Sequence, residues 1–282
     1  MKKPFISLGL AGYPLGHSYS PAMHNVALAT SGIEGDYRMY PIPPSAAGNS
    51  GLEELIHSIR NGNLCGLNIT IPYKQSVQNL VDRLTPLAAH IGAVNVLYME
   101  DGKLVGDNTD CPAFLSDIDN SFHFEESSDH HALVLGAGGS ARAVVYALHQ
   151  EGWNVQIAAR SENQAKILIA SLGICNVQAL NLEKGELSLL KEIHLVVNTT
   201  PVGMFPDSDR SPWPDGLLFP ENAAVYDLIY NPSETRLMES ARKAGLQAVN
   251  GLGMLVEQAA LSFEIWTGMI APRDVMRQSV NI

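Results

Sequence analysis

The feature that most narrows the folds open to this chain is Gly136-x-Gly138-x-x-Ala141. It stands directly after the apolar run His131–Leu135 and directly before an Ala/Val-rich stretch reaching Glu151. Strand, glycine turn and helix in that order open a βαβ unit. The first glycine permits the tight turn, the second lets a phosphate approach the backbone, and the small third residue lets helix and strand pack closely. The helix start offers an anion the positive end of its dipole and N–H groups with no partner inside the helix. A dinucleotide pyrophosphate fits that description; a glycine-rich turn in some other α/β fold is the alternative. The next predicted strand, Asn154–Ala159, ends in Arg160-Ser161. A chain that binds NAD places Asp or Glu near this point to hold the ribose 2′-hydroxyl. A guanidinium instead favours a 2′-phosphate, hence NADP. The lesser alternative for Arg160 is a solvated loop cation, and Glu162 could repel the phosphate or take the acidic role.

Short apolar strands alternate with helical stretches through most of the 282 residues, the sign of α/β layering in about two domains. Predicted strands lie at Phe5–Ala11, Asp36–Pro41, Cys65–Ile71, Val94–Met99 and Lys103–Gly106, the last two forming a hairpin through Glu100-Asp101-Gly102. Ser20-Pro21 reads as an N-cap and first helical residue for Ala22–Ser31, and Ser50–Gly62 is a second helix. A connecting helix, Pro112–Ile118, and a polar loop precede the glycine turn. Beyond it come the helix Glu162–Ser171, strands Leu195–Asn198 and Ala224–Leu228, the helix Ser233–Ala244 with Gly245 as its C-cap, and a last apolar helix, Gly253–Thr267. Charge is distributed unevenly: of the formal −11, residues 108–250 carry −9, which hints at separate units.

That acidity excludes a broad grip on nucleic acid or an anionic membrane, while leaving room for a small anionic ligand in a locally positive pocket. Cys65, Cys111 and Cys175 are scattered, so neither a disulfide framework nor a zinc cluster is expected, and all three read as buried apolar residues of a reducing compartment. No histidine spacing suits a metal, and the pair His130-His131 reads as a loop or strand-edge feature. No apolar run approaches the ~18 residues of a membrane span. Met1-Lys2-Lys3 and the run after it faintly mimic a signal peptide, but Gly12-Tyr13-Pro14 cuts the run short. A first strand and a cytoplasmic location are expected.

Four polar clusters precede the glycine turn. His17-Ser18-Tyr19-Ser20-Pro21 sets two hydroxyls beside a helix start, suited to a polyol or a carboxylate, unless Ser20 is only a cap. In Asn68-Ile69-Thr70-Ile71-Pro72-Tyr73-Lys74, alternation puts Asn68, Thr70 and Pro72 on one face with Lys74 just beyond. A lone lysine at a strand end is usually a solvated charge. Asn95 interrupts an apolar stretch and needs a partner if buried. Asp110 falls where the charge pattern changes. In a cleft between two domains, Lys74 and Asp110 could form a proton-shuttling ion pair, though a separation of 36 residues does not by itself bring them together.

Read together, these clusters resemble the shikimate/quinate dehydrogenase family over essentially the full length. The matching stretches are Gly12-Tyr13-Pro14 with His17 to Pro21 and His24-Asn25; Gly66 to Lys74; Gly92-Ala93-Val94-Asn95; Gly106-Asp107-Asn108-Thr109-Asp110; the glycine turn; Asn198-Thr199-Thr200-Pro201-Val202-Gly203-Met204; Asp227-Leu228-Ile229-Tyr230-Asn231-Pro232; and Gly251 to Ala259. The resemblance implies an N-terminal α/β substrate domain, an inserted Rossmann NADP domain and a C-terminal helix returning to the first domain. On this chain that means 1–107 with 251–282, interrupted by 108–250. It implies Lys74 and Asp110 as the catalytic pair, with Ser18, Ser20, Thr70, Asn95, Tyr230 and Gln258 binding substrate alongside Asp110. It further implies Gly136, Ala137, Gly138, Gly139, Ser140, Thr199 and Gly251 at the cofactor, with Arg160 and Ser161 at its 2′-phosphate.

The implied reaction is reversible, NADP-linked reduction of 3-dehydroshikimate to shikimate in aromatic amino-acid biosynthesis, by a monomer or homodimer without metal. Hydride transfer to a ring ketone leaves an alkoxide, so a cation able to give a proton belongs at the carbonyl oxygen. The chain departs from the family pattern after its second nucleotide-domain strand. Ala159 replaces an Asn, and Glu162-Asn163-Gln164 holds no second cation, which leaves dual use of NAD open. Ser20 resembles the shikimate-selective members, with less room for the extra hydroxyl of quinate. A quinate/shikimate dehydrogenase using both cofactors, or a non-catalytic nucleotide-binding sensor, are the alternatives; retention of both Lys74 and Asp110 argues against the sensor.

Overall fold

The computed structural model describes residues 5–16, 18–44, 46–125, 129–182, 187, 190 and 192–280, without the side chains of 46–49; His17 lies outside them. The chain forms two compact units, Met1–Asp110 with Val256–Asn281, and Cys111–Leu255. Each crossing falls a few residues beyond the change in charge pattern.

The first unit runs β1 (Ile6–Gly12), α1 (Ser20–Thr30), β2 (Gly35–Pro41), α2 (Ala46–Arg60) and β3 (Gly66–Ile69). A 3-10 turn (Ser76–Leu80), β4 (Arg83–Leu84), α3 (Pro86–Ile91), β5 (Val96–Glu100) and β6 (Lys103–Asp107) follow. Its sheet has the order β2-β1-β3-β5-β6-β4, parallel through β3 and antiparallel at β5. Leu52, Ile56 and Ile59 recur at helical spacing on α2 and bury against Leu67 and Ile69 of β3 and Leu97 of β5. The hairpin turns on Asp101-Gly102, both at positive φ, the geometry that suits strand twist.

One local expectation is corrected at α1. Ser20 is not the N-cap: the helix already includes it, and Tyr19 holds the cap position. The acceptor comes from upstream, because Ser18 Oγ receives the Ser20 N–H at 3.3 Å.

The second unit begins within α4 (Asp110–Ser121) and continues β7 (His131–Leu135), α5 (Gly139–Gln150), β8 (Asn154–Ala159), α6 (Glu162–Leu172), β9 (Gln178–Asn181), β10 (Leu195–Asn198), β11 (Ala224–Asp227), α7 (Arg236–Lys243) and β12 (Ala248–Asn250). α8 (Leu252–Thr267) starts here and returns the chain to the first unit, where α9 (Arg273–Gln278) ends it. The sheet is wholly parallel in the order β12-β11-β10-β7-β8-β9, reversing direction between β7 and β10. Such strands are covered on both faces, which is why β10 and β11 are buried throughout. α7 starts later than Ser233, because Thr235 is its cap and accepts the Met238 N–H at 3.3 Å. Of the three cysteines, Cys111 is buried, Cys65 is partly buried and Cys175 is exposed, so only the first fits the expected apolar role.

Asp227, at the end of β11, is fully buried. Its carboxylate accepts from Asn198 Nδ2 at 2.8 Å, the Ile229 N–H at 3.1 Å and Thr235 Oγ1 at 2.6 Å. Burial pushes its pKa up to about 6, against the pull of those three donors. Between about 4 and 6 the native state therefore binds more protons at this site than the unfolded chain, so the site's contribution is present below pH ~4 and lost as pH rises through ~6. Asp227→Asn keeps an oxygen for Asn198 and Ile229 and turns its amide toward the Thr235 hydroxyl. We expect the variant to gain about 2–3 kcal/mol relative to the parent between pH 4 and pH 7. Urea unfolding of both chains at both pH values measures it; a difference that does not change with pH refutes the assignment. His24, which burial pulls down to about 3, contributes with the opposite sign but is common to both chains.

Candidate active site

In the first unit a run of hydrogen bonds joins residues that the sequence scatters. Lys74, a few residues past β3, places Nζ 2.6 Å from Asp110 Oδ2, and the two side chains are only 15% and 6% exposed. The other oxygen, Oδ1, accepts from Asn95 Nδ2 at 2.9 Å. The same Asn95 nitrogen donates to Thr109 Oγ1 at 2.9 Å, and Asn95 Oδ1 accepts the Thr109 N–H at 2.7 Å. Asn108 Oδ1 takes the Asp110 N–H at 3.0 Å, while Asn108 Nδ2 donates to the Ala93 carbonyl at 2.9 Å. Asp110 is therefore fixed by its neighbours from both the β5 and β6 ends. Lys74 is fixed too, since its carbonyl receives the Val94 N–H at 2.7 Å.

The network extends toward Ser20. Asn68 Nδ2 donates to the Asn95 carbonyl at 3.1 Å and to Ser262 Oγ at 3.0 Å, so Oδ1 faces Tyr37, whose hydroxyl donates to it at 2.8 Å. Burial lifts the Tyr37 phenol well above its ordinary value, against a smaller opposing hydrogen bond with Ser20, so it remains a proton donor. Ser18 Oγ donates to Ser20 Oγ at 3.2 Å, giving two adjacent hydroxyls at the start of α1. The fully buried imidazole of His24 stacks on Tyr37 at 4.2 Å and 7°, and burial keeps it neutral. Ser262 Oγ and Thr109 Oγ1 both donate to the Gln258 carbonyl, at 2.8 and 3.1 Å. Ser20, Asn95, Lys74, Asp110 and Gln258 thus belong to one network. Thr70 is half-buried just past β3, with no hydrogen bond from its side chain into the network among the described residues. Tyr230 lies in the second unit, past β11. Sequence reasoning passed over Tyr37, Thr109 and Ser262; the polar interruption of the apolar α8 at Ser262 was the available signal.

In the second unit the predicted cofactor residues all sit at the carboxyl ends of parallel strands. Gly136 follows β7 and Thr199 follows β10, the two strands between which the sheet order reverses, and this is where such sheets bind ligands. Gly136 has φ +111°, and a Cβ there would lie 2.6 Å from Thr199 Oγ1. Thr199 is latched to β7, its hydroxyl donating to the Leu135 carbonyl at 2.7 Å. Gly138 caps α5 in extended geometry, and a Cβ on it would point into open space, which keeps the helix start approachable; Gly139 and Ser140 form its first turn. Gly251 follows β12, where a Cβ would meet the Leu228 carbonyl oxygen at 2.3 Å. Arg160 is exposed just beyond β8, and Ser161 caps α6. Glu162 is paired with Lys166 at 2.6 Å within its own helix. These residues fit a dinucleotide: a pyrophosphate would lie on the α5 start between Gly136 and Gly139, and a 2′-phosphate would reach Arg160. Among the described residues no group of three His, Cys, Asp or Glu side chains could hold a metal ion, and no helix is long and apolar enough to cross a membrane.

A doubly wound parallel sheet with a glycine turn at its switch point, in one chain with a unit holding a nearly buried Lys–Asp pair, is the arrangement of a dinucleotide-binding enzyme. The comparisons narrow the class. Residues 10–97 match the family model of the shikimate dehydrogenase substrate binding domain, 120–202 that of shikimate/quinate 5-dehydrogenase, and 251–280 that of the shikimate 5′-dehydrogenase C-terminal domain. The shikimate dehydrogenase (NADP(+)) of Symbiobacterium thermophilum is 42% identical over 276 residues, covering 96% of this chain and 92% of its own. The Thermus thermophilus shikimate 5-dehydrogenase in complex with NADP(H) and shikimate superposes with a TM-score of 0.84 at 36% identity, over 97% of this chain and 98% of that one. The quinate dehydrogenase of Corynebacterium glutamicum in complex with NAD has a TM-score of 0.86 at 31% identity, over 97% and 98%. The chain belongs to the shikimate dehydrogenase family.

Proposed function

We propose that this chain reduces 3-dehydroshikimate to shikimate, reversibly and with NADP, and that Lys74 and Asp110 are its catalytic pair. The observation that carries the reading is the 2.6 Å ion pair between two nearly buried side chains, one of whose partners is itself fixed by Asn95. When bound, the nicotinamide supplies or accepts the hydride. The chain's own part is to manage the proton and hold the substrate. With one ammonium proton directed at Asp110, Lys74 has two left, and one can pass to the ketone oxygen as it becomes an alkoxide. In the oxidative direction neutral Lys74 takes the hydroxyl proton. Asp110 keeps the ammonium aimed and accepts from a neighbouring substrate hydroxyl. The paired hydroxyls of Ser18 and Ser20 suit the carboxylate, and Thr70, Asn95, Tyr230 and Gln258 complete the contacts. The same reading places the enzyme in the cytoplasm, as a monomer or homodimer.

Steady-state oxidation of shikimate and quinate, each with NADP and with NAD, tests this through nicotinamide absorbance. Shikimate with NADP should give the highest kcat/KM, at least ~10-fold above quinate with either cofactor, because the added hydroxyl must be accommodated beside Ser20. Comparable efficiencies would favour the broader quinate/shikimate reading, for which the likeness to an NAD-bound quinate dehydrogenase speaks. No turnover of either acid would leave the sensor reading.

A further inference from the structure

Burying the charge of Asp227 disfavours the folded state, and no cation among the described residues pairs with it. An apolar residue would fill the same place without that charge. What the carboxylate adds is direction. Ionised, it only accepts, so Asn198, at the end of β10, must turn Nδ2 toward Asp227 Oδ1, 2.8 Å away. The Asn198 Oδ1 is then left facing the turn that follows β10, where it receives the Thr200 N–H at 2.9 Å and the Thr200 hydroxyl at 2.7 Å. Thr200 Oγ1 in turn accepts the Val202 N–H at 3.2 Å. With the Asn198 amide reversed, its NH2 would face the Thr200 N–H, donor against donor.

The turn held in this way bears on the glycine turn. Thr199 is tied to β7 through the Leu135 carbonyl, and a Cβ on Gly136 would lie 2.6 Å from Thr199 Oγ1 and 3.0 Å from Thr200 Cγ2. Packing this close transmits displacement, so a shift of Thr199 and Thr200 moves Gly136 and the approach to α5 with it. Asp227 supports the neighbouring segment as well. Oδ1 also accepts the Ile229 N–H at 3.1 Å, and the Ile229 carbonyl accepts the Gly251 N–H at 3.2 Å. We propose that Asp227 is a positioning residue for the dinucleotide: acting through Asn198, it holds the Thr199–Thr200 turn against Gly136 and keeps the α5 start shaped for the pyrophosphate. This rests on the reading of Gly136, Thr199 and Gly251 as cofactor residues, and every residue in the relay lies in the second unit. The third bond of Asp227, to Thr235 at the cap of α7, leads away from the turn.

The test measures dissociation constants of NADP and NAD by fluorescence titration, with thermal melting beside them, on the full-length chain. Residues that touch no ligand shift binding by ~3- to 30-fold, and Asp227→Ala should weaken NADP within that range. NAD should weaken equally, because the pyrophosphate is common to both. Asp227→Asn, which keeps an oxygen for Asn198, should bind both within about twofold of the parent. Thr235→Val, which cuts only the bond at α7, should melt earlier yet bind NADP within about twofold. Asp227→Ala combined with Asn198→Ala should bind no more weakly than Asn198→Ala alone, since the effect passes through Asn198. Additive losses, parental affinity in a folded Asp227→Ala, or an equal loss in Asp227→Asn or Thr235→Val overturn the proposal. If Asp227→Ala does not fold, Thr200→Val keeps the Cγ2 methyl beside Gly136 and loses the hydroxyl that Asn198 receives. It should weaken both cofactors ~3- to 10-fold, and parental affinity there overturns the proposal equally. A parent that binds neither cofactor would refute the proposed function instead, so the two failures are distinct.

Discussion

Lys74→Ala should lower kcat for shikimate oxidation by about three orders of magnitude, while NADP binds within about twofold of the parent. Proton transfer by a positioned side chain contributes ~10²- to 10⁴-fold, and Lys74 is the cation that the network around Asp110 holds in place. Cofactor affinity is spared because the predicted nucleotide contacts belong to the other unit. Stability should fall as well. Lys74→Ala leaves Asp110, 6% exposed, with its charge facing Asn95 and no cation, and breaking a buried pair from one side costs about 3 kcal/mol or more. Asp110→Asn breaks the same pair from the other side, since its amide NH2 must face one of two donors, Lys74 Nζ or Asn95 Nδ2, so turnover and melting temperature should both fall. Rapid-mixing measurement of NADPH formation, beside a fluorescence titration of NADP, reads both quantities. A Lys74→Ala enzyme with near-parental kcat would remove Lys74 from the chemistry.

The nucleotide unit was largely legible in the sequence because its signals are local. β7, the glycine turn and α5 are contiguous, and β10 and β11 are short apolar runs buried on both faces. The edge strands β9 and β12 were not read. Gln178–Asn181 has one exposed and two partly buried positions around a single buried Leu180, and Ala248–Asn250 is three residues long. Neither has a run that differs from a loop. The site in the first unit was legible only in pieces. Lys74 and Asp110 are 36 residues apart and Asn68 and Ser262 are 194 apart, distances that no periodicity spans. Only the resemblance to a family could join them in advance. Gly253 is the instructive case. Its place inside Gly251-Leu252-Gly253-Met254 was visible, but the reason for it is the carboxylate of Asp117, on a helix far away in the chain.

Cofactor choice turns on one exposed cation. The nucleotide unit carries most of the chain's negative charge, so its general field opposes an anionic ligand, and recognition of the 2′-phosphate has to be local. Arg160 is exposed at the end of β8, forms no salt bridge among the described residues, and so keeps its full fork of donors for a phosphate. Hydrogen bonds to charged groups contribute about 1.5–3 kcal/mol, and solvent exposure favours the lower half of that range. Arg160→Ala should therefore raise KM for NADP by roughly 10- to 30-fold and leave KM for NAD within about twofold, since NAD has no 2′-phosphate to lose. Glu162 lies next to Ser161 but is paired with Lys166 at 2.6 Å, so Glu162→Gln should change the NADP constant by less than about threefold. Lys166→Ala, which frees that carboxylate, should weaken NADP more than Glu162→Gln strengthens it. The effect of Arg160→Ala should shrink in high salt, as expected for an exposed ion pair. Steady-state constants for both cofactors at low and high ionic strength measure all of this. If Arg160→Ala leaves the ratio of NADP to NAD efficiency unchanged, Arg160 does not read the 2′-phosphate; a parent ratio near one would go with the departure at Ala159 and Glu162-Asn163-Gln164 and mark an enzyme indifferent to the 2′ position.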